Sequence, residues 1–206
     1  MLHFESMQKL SNIHFRGNYG FLSATTPFQL FGPLPTVGSF LDFESSELLN
    51  KDISQIIFQI TCLELPLKFS SYYEGYDTGI NNGSFKVNFS QYCNGNSELL
   101  HGCPFSLFEE YKNEGKLLLT STFYLKVNKK LLFTEKTSNN NYPMEEWKCY
   151  FRMELIEPDD AFGHNIYPRA LTKVMIHNEK RWSKKRNIPS TPYTPVVSKI
   201  GISMTY

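Results

Sequence analysis

Five cations crowd around one tryptophan in the stretch KRWSKKRNIPSTPYTPVV, residues 180–197: Lys180, Arg181, Lys184, Lys185 and Arg186, with Trp182 among them. Burying unpaired charge is prohibitively costly, so these side chains must face water or an anionic partner. Trp182 is expected to dock or stack, because an exposed indole leaves a large apolar area in water. Pro189, Pro192 and Pro195 recur at every third residue around Tyr193, which fits an extended polyproline-like path with little entropy to lose on binding. VVSKIGISMTY then returns to β-prone residues that could add a strand to a neighbouring sheet. The chemistry of this segment is recognition: a cationic anchor, a semi-rigid spacer and a terminal strand. The expected partners are other protein subunits, with RNA or an anionic surface as the alternative through the basic residues.

A second constellation is SSYYEGYD, where Tyr72, Tyr73 and Tyr76 adjoin Glu74 and Asp77. In an exposed loop these aromatics could face a ligand, holding sugar rings while carboxylates take hydroxyl hydrogen bonds, or they could supply protein-interface area. A third is EPDDAFGHN, whose Glu157, Asp159, Asp160 and His164 could bind a divalent cation or move protons. Beside Pro158 and Gly163 the same residues make an ordinary solvated turn, and that reading is preferred. The five histidines show no HxH or HExxH spacing, and the chain contains no GxSxG or Gly-rich phosphate loop. No catalytic residue, metal or cofactor is therefore assigned. Cys62, Cys93, Cys103 and Cys149 form no CxxC pair and are expected chiefly as buried thiols, their disulfide state open. Two acceptor patterns, at Asn82 and Asn88, lie near Cys93 and Cys103.

FLSATT, SFLDFE, NGNSELLHGCPFSLF and EEWKC faintly resemble, in that order, the C-terminal part of histidine acid phosphatases. The resemblance covers a few tens of residues and implies a hydrolase. Where that family carries a His-Asp pair, however, this chain runs from Ala24 to Thr25 and Thr26, and the Arg-His-Gly nucleophile motif is missing. The chain is accordingly not assigned to the family. The expected function is a non-enzymatic structural or interaction subunit of a larger protein or ribonucleoprotein assembly. The alternatives are a hydrolase-class enzyme and a glycan-binding β-sandwich module.

The elements that must position these residues are mainly strands. KLLLTSTFYLKV places Leu117, Leu119, Phe123, Leu125 and Val127 on one face, and EWKCYFRMELIE does the same with Trp147, Cys149, Phe151, Met153 and Leu155. The two are expected to be able to pair. SFKVNFSQ alternates Phe85, Val87 and Phe89 against polar residues and turns Asn88 to solvent; GSFLDFE and KKLLFTEK add shorter strands, the latter as a hairpin through VNKK. In ISQIIFQITCLELPLKF the apolar parity changes after Ile60, which calls for a bulge near Cys62 or a strand that switches sheets. CPFSLFEEYKNEG is the best helix candidate, with Pro104 in its first turn and Gly115 at its stop.

At 206 residues with 17 Phe and 12 Tyr, the chain can bury an aromatic-rich core. The fold class is all-β and mainly antiparallel: a β-sandwich or jelly-roll-like domain over residues 1–176, one short helix, and an extended C-terminal arm over residues 177–206. The formal net charge of +1 excludes a surface that is everywhere polyanion-binding, so any such binding is local. With no apolar run of about 18 residues and no signal-peptide pattern, an intracellular location, cytoplasmic or organellar, is expected.

Overall fold

Alternating apolar residues fold here into two antiparallel sheets packed face to face. The computed structural model describes residues 7–23, 25–48, 51–93, 95–111, 115–127 and 149–206. The first sheet runs β1 (Met7–Lys9), β12 (Val196–Thr205), β6 (Gln55–Cys62) and β10 (Thr120–Lys126), with β4 (Phe28–Gln29) also on β12. The second runs β3 (Gly20–Leu22), β2 (His14–Gly17), β5 (Phe40–Glu44), β11 (Cys149–Glu157), β7 (Lys86–Cys93) and β8 (Asn96–Leu99), with β9 (Phe105–Ser106) on β7. The fold is an all-β sandwich. Among the described residues no helix is long and apolar enough to cross a membrane.

The inward-facing sets are those the periodicity names. Ile56, Phe58 and Ile60 of β6, Phe123 and Leu125 of β10, Val87 and Phe89 of β7, and Phe151, Met153 and Leu155 of β11 are all buried. Phe58 bridges the layers, with its ring 4.9 Å from Phe43 and 5.5 Å from Phe89. Each fully buried Phe contributes roughly 1.5–3 kcal/mol relative to exposure, and such aromatic pairs add about 0.5–1.5 kcal/mol. Leu119 is the exception: it precedes β10 and is half exposed.

Several expectations are corrected. β10 and β11 do not pair, since β10 joins β6 while β11 lies between β5 and β7. Two strands with the same alternation can sit in facing sheets as easily as side by side; here Phe123 packs on Phe58 of its own sheet and Phe151 on Phe43 of the other, and Phe43 and Phe58 then stack between the sheets. The irregularity near Cys62 is a bulge on the partner strand, where Ser198 is the extra residue between the Val197–Cys62 and Lys199–Thr61 pairs. Beyond it there is no second strand: Leu63 and Leu67 are exposed, and a single helical turn, α1 (Phe69–Tyr72), follows Pro66. CPFSLFEEYKNEG is extended over its described part, because the Leu107 N–H donates to the Phe85 carbonyl at 2.9 Å, which a helix would forbid, and Phe105–Ser106 forms β9. The long helix is instead α2 (Tyr167–Glu179). The strand expected at KKLLFTEK and the residue Trp147 lie outside the described residues.

The expected boundary at residue 176 does not separate a free arm from the sandwich. β12 pairs with β6 from Val197 to Thr205 and with β1 on its other edge, with Val197, Ile202 and Met204 buried. The terminal strand therefore completes this chain's own sheet. The cysteines also differ from expectation: Cys93 and Cys149 stand opposite each other on β7 and β11 and form a disulfide, while Cys62 is a buried thiol and Cys103 an exposed one. Burial pushes the Cys62 thiol up to about 11.

Candidate partner-binding surface

α2 begins with Pro168 in its first turn, where the missing N–H costs nothing, and buries Ala170 and Val174 at i, i+4 spacing. Tyr167 leans on Tyr76 of the 3-10 turn Glu74–Tyr76, ring centroids 6.0 Å apart. The opposite face of α2 is left to solvent, including Arg169, Lys173, Met175 and Ile176.

The chain leaves α2 at Lys180 and folds back along the end of the helix. Ser183 Oγ donates to the His177 carbonyl at 2.8 Å and lies 3.1 Å from the Lys180 carbonyl, adding a side-chain donor to helix-end carbonyls that also accept from the Lys180 and Ser183 N–H groups at 3.3 Å. Asn178 makes a reciprocal pair with Arg186, its Nδ2 donating to the Arg186 carbonyl at 2.9 Å and its Oδ1 accepting from the Arg186 N–H at 2.8 Å. His177 Nε2 donates to the Lys184 carbonyl at 3.0 Å. The Lys185 ammonium turns inward to the Asn178 carbonyl, where a cation also complements the helix dipole. The basic stretch is thus a fastened turn, and its signal in the sequence is Asn178 just before the cations and Ser183 among them.

Trp182 projects from this turn with 91% of its surface exposed, and the Arg181 guanidinium lies 5.4 Å from its ring centroid. Lys180, Arg181, Lys184 and Arg186 are exposed around it. An open groove of about 790 Å³ runs along α2, lined by Arg169, Lys173, Ile176, His177, Lys180 and Arg186 among others. At its far side Lys173 is ion-paired with Asp77, and the hydrogen bond and charge of Lys173, with Arg186 adding to them, hold the Asp77 carboxyl below its ordinary value. Residues 167–186 carry seven cations against the single acid Glu179; the rest of the chain has fourteen cations and nineteen acids, a net −5.

The rest of the expected partner-binding set has a different job. Pro189, Tyr193 and Pro195, expected to contact a partner, are instead buried against this chain, and Pro192 is half-buried. Of the aromatics expected to face a ligand, Tyr73 and Tyr76 are buried, only 2% and 6% exposed, whereas Tyr72 is half-buried and lines a second groove with Pro66, Leu67 and Lys68. Two of their hydroxyls fasten residues 189–195, a strap across the core, Tyr72 donating to the Thr191 carbonyl at 2.8 Å and Tyr76 to the Ser190 carbonyl at 2.6 Å, while Tyr73 donates to the Phe162 carbonyl at 2.9 Å. The Tyr193 N–H reaches Tyr73 Oη at 3.3 Å, and the Tyr193 hydroxyl donates to the Glu64 carbonyl at 2.7 Å. Burial raises the phenol pKa values of Tyr73, Tyr76 and Tyr193 far above their usual range. Pro189 fits over Gly75, where an added Cβ would meet it at 3.0 Å.

The acidic turn after β11 places Asp159 and Asp160 near solvent. His164 instead turns to the strap, with Nε2 3.0 Å from Thr194 Oγ1 and Nδ1 buried without a partner. Asn82 is a buried bracket, accepting from the Phe69 N–H at 2.8 Å and donating to the Gly115 carbonyl at 3.2 Å. Asn88 faces Glu154 across β11 and is half-buried. Comparison with known protein families and with curated proteins finds no family model that matches the chain and no similar protein.

Proposed function

We propose that this protein is a non-enzymatic interaction subunit in which the β-sandwich is a scaffold and the face made by α2 and the basic turn, residues 180–186, contacts a partner. The observation that carries the reading is Trp182, 91% exposed on a turn whose backbone is fastened to α2. A large aromatic held out by a rigid support loses little conformational entropy on docking and can supply a dominant share of binding energy. The cations around it add encounter rate and orientation. The strap supports the reading from beneath, since four tyrosines hold residues 189–195 against the core and fix the take-off point of the turn.

The test is native co-purification of the full chain and of Trp182→Ala, with thermal unfolding as the control. A hot-spot aromatic implies that partner recovery falls by roughly 30-fold or more while the unfolding midpoint is unchanged. Equal recovery from both proteins refutes the proposal. A truncation at Ile176 cannot serve, because it deletes β12 from between β1 and β6.

A further inference from the structure

We infer that the partner group seated on this face is a single-stranded nucleic acid, its phosphates along the α2 groove and a base stacked on Trp182; the inference rests on the interaction role proposed above. Charge complementarity is the first support. Seven cations against one acid over residues 167–186, with a net −5 elsewhere, concentrate a positive field on one face of a nearly neutral chain. The field lies where a strand could follow it: Arg169 and Lys180 line the groove along α2 with Lys173, which is shared with Asp77, between them, and Arg186 closes it. Guanidinium groups at Arg169, Arg181 and Arg186 suit the bidentate geometry of phosphate oxygens.

Trp182 supplies the second support. Its ring is carried between cations, with Arg181 beside it, which is how proteins that bind single strands combine a stacking surface with a basic groove. The side chains flanking this indole in the turn are Arg181, Lys184 and Lys180, cations that would lose water without compensation against an apolar surface but meet phosphates when a base stacks on the ring. The proline segment that could have offered apolar anchors to a protein partner is buried at Pro189, Tyr193 and Pro195. Ile176, half exposed in the groove, can take the flat apolar face of a second base.

The experiment is fluorescence anisotropy of the full chain with a labelled single-stranded RNA of about 12 nucleotides, from about 50 to 200 mM salt. The variants are Trp182→Ala and a Lys180→Gln, Arg181→Gln, Lys184→Gln, Arg186→Gln combination. Lys185 and Lys173 are spared because the first caps α2 and the second pairs with Asp77. The four substituted cations account for about −3 of the log-log salt slope, which the combined variant loses, leaving the shallower slope that Arg169 in the groove supplies. Trp182→Ala weakens binding by about 5- to 150-fold at every salt concentration with the slope unchanged. Absence of binding at about 50 mM salt, or indifference to Trp182, overturns the inference. So does tighter, Trp182-dependent binding of polyglutamate or of vesicles containing anionic lipid, each of which assigns the face to a different partner. Partner recovery that depends on Trp182 and survives nuclease treatment leaves the interaction role standing and removes the nucleic acid; failure of recovery and of RNA binding together removes both.

Discussion

Asp42 lies at the centre of the outer face of the second sheet, and its replacement by Asn should be among the most damaging isosteric changes in the protein. Its carboxylate is fully buried and accepts from Arg152 Nε at 2.7 Å and Nη2 at 3.0 Å, and from Arg16 Nη2 at 2.8 Å and Nε at 3.3 Å. Register explains the meeting: Arg16 on β2 and Arg152 on β11 stand directly opposite Asp42 on either side of β5. Aromatic faces cover the guanidinium of Arg152, with Phe40 at 3.8 Å and Tyr92 at 4.9 Å from ring centroids. Asp42→Asn keeps the shape, removes the charge and points an amide donor at guanidinium donors. Breaking a buried pair typically costs about 3–5 kcal/mol. Because the two arginine side chains retain 31% and 20% exposure, water recovers part of the loss, and the expectation is about 3 kcal/mol. For a chain of this length that lowers the unfolding midpoint by roughly 6–12 °C, measurable by calorimetry or circular dichroism. The triple replacement Arg16→Met, Asp42→Leu, Arg152→Met should stay within about 1 kcal/mol of wild type, since apolar groups of similar volume can replace a buried triad. An Asp42→Asn loss under about 1 kcal/mol, or a triple variant as unstable as the single one, refutes the reasoning.

Four further outcomes are expected. Gly75→Ala pushes a Cβ against Pro189 and should cost about 1–3 kcal/mol in chemical denaturation, with no loss if the strap can shift. His164 is held neutral because burial depresses its pKa below 6.5, so the unfolded chain takes up the proton more readily; the stability it contributes is complete above pH 6.5 and is lost as pH falls through the depressed folded value. That loss is under about 1 kcal/mol after solvent screening, and His164→Gln should fall less in unfolding midpoint between pH 7.5 and 5.5 than wild type does. Under denaturing, non-reducing conditions only Cys62 and Cys103 should react with a thiol reagent, and the Cys93→Ser, Cys149→Ser double variant should lose about 2–4 kcal/mol. Residues 1–176 alone should fail to give a cooperative unfolding transition, because Ile56, Phe58 and Ile60 would lose the strand beside them.

The sequence by itself determined the fold class and most of the inward faces. Period-two alternation in β6, β7, β10 and β11 is local, and a strand with one apolar set has one way to bury it, so Phe58, Phe89, Phe123 and Phe151 were legible as core. The fastened cations were legible too, because Lys180, Arg181, Lys184 and Arg186 cannot enter a core whatever the fold. Only the tertiary structure decided which strands pair, since β10 and β11 carry the same pattern and nothing local tells facing sheets from neighbouring strands. It also divided the C-terminal segment. Pro189, Tyr193 and Pro195 resemble an exposed spacer in isolation, yet the tyrosines of SSYYEGY, more than a hundred residues earlier, hold that segment down, Tyr72 and Tyr76 donating to the Thr191 and Ser190 carbonyls and Tyr73 accepting from the Tyr193 N–H. β12 is legible as a strand, but an apolar terminal strand needs a sheet and sequence does not state whose; its pairing with β1 and β6 makes that sheet this chain's own. α2 gives only a weak signal at Pro168, Ala170 and Val174, because its buried stripe is narrow and the apolar Met175 and Ile176 lie outside it. Asp42 gave no local signal at all: its partners come from strands 26 and 110 residues away, and only their register brings two guanidinium groups onto one carboxylate.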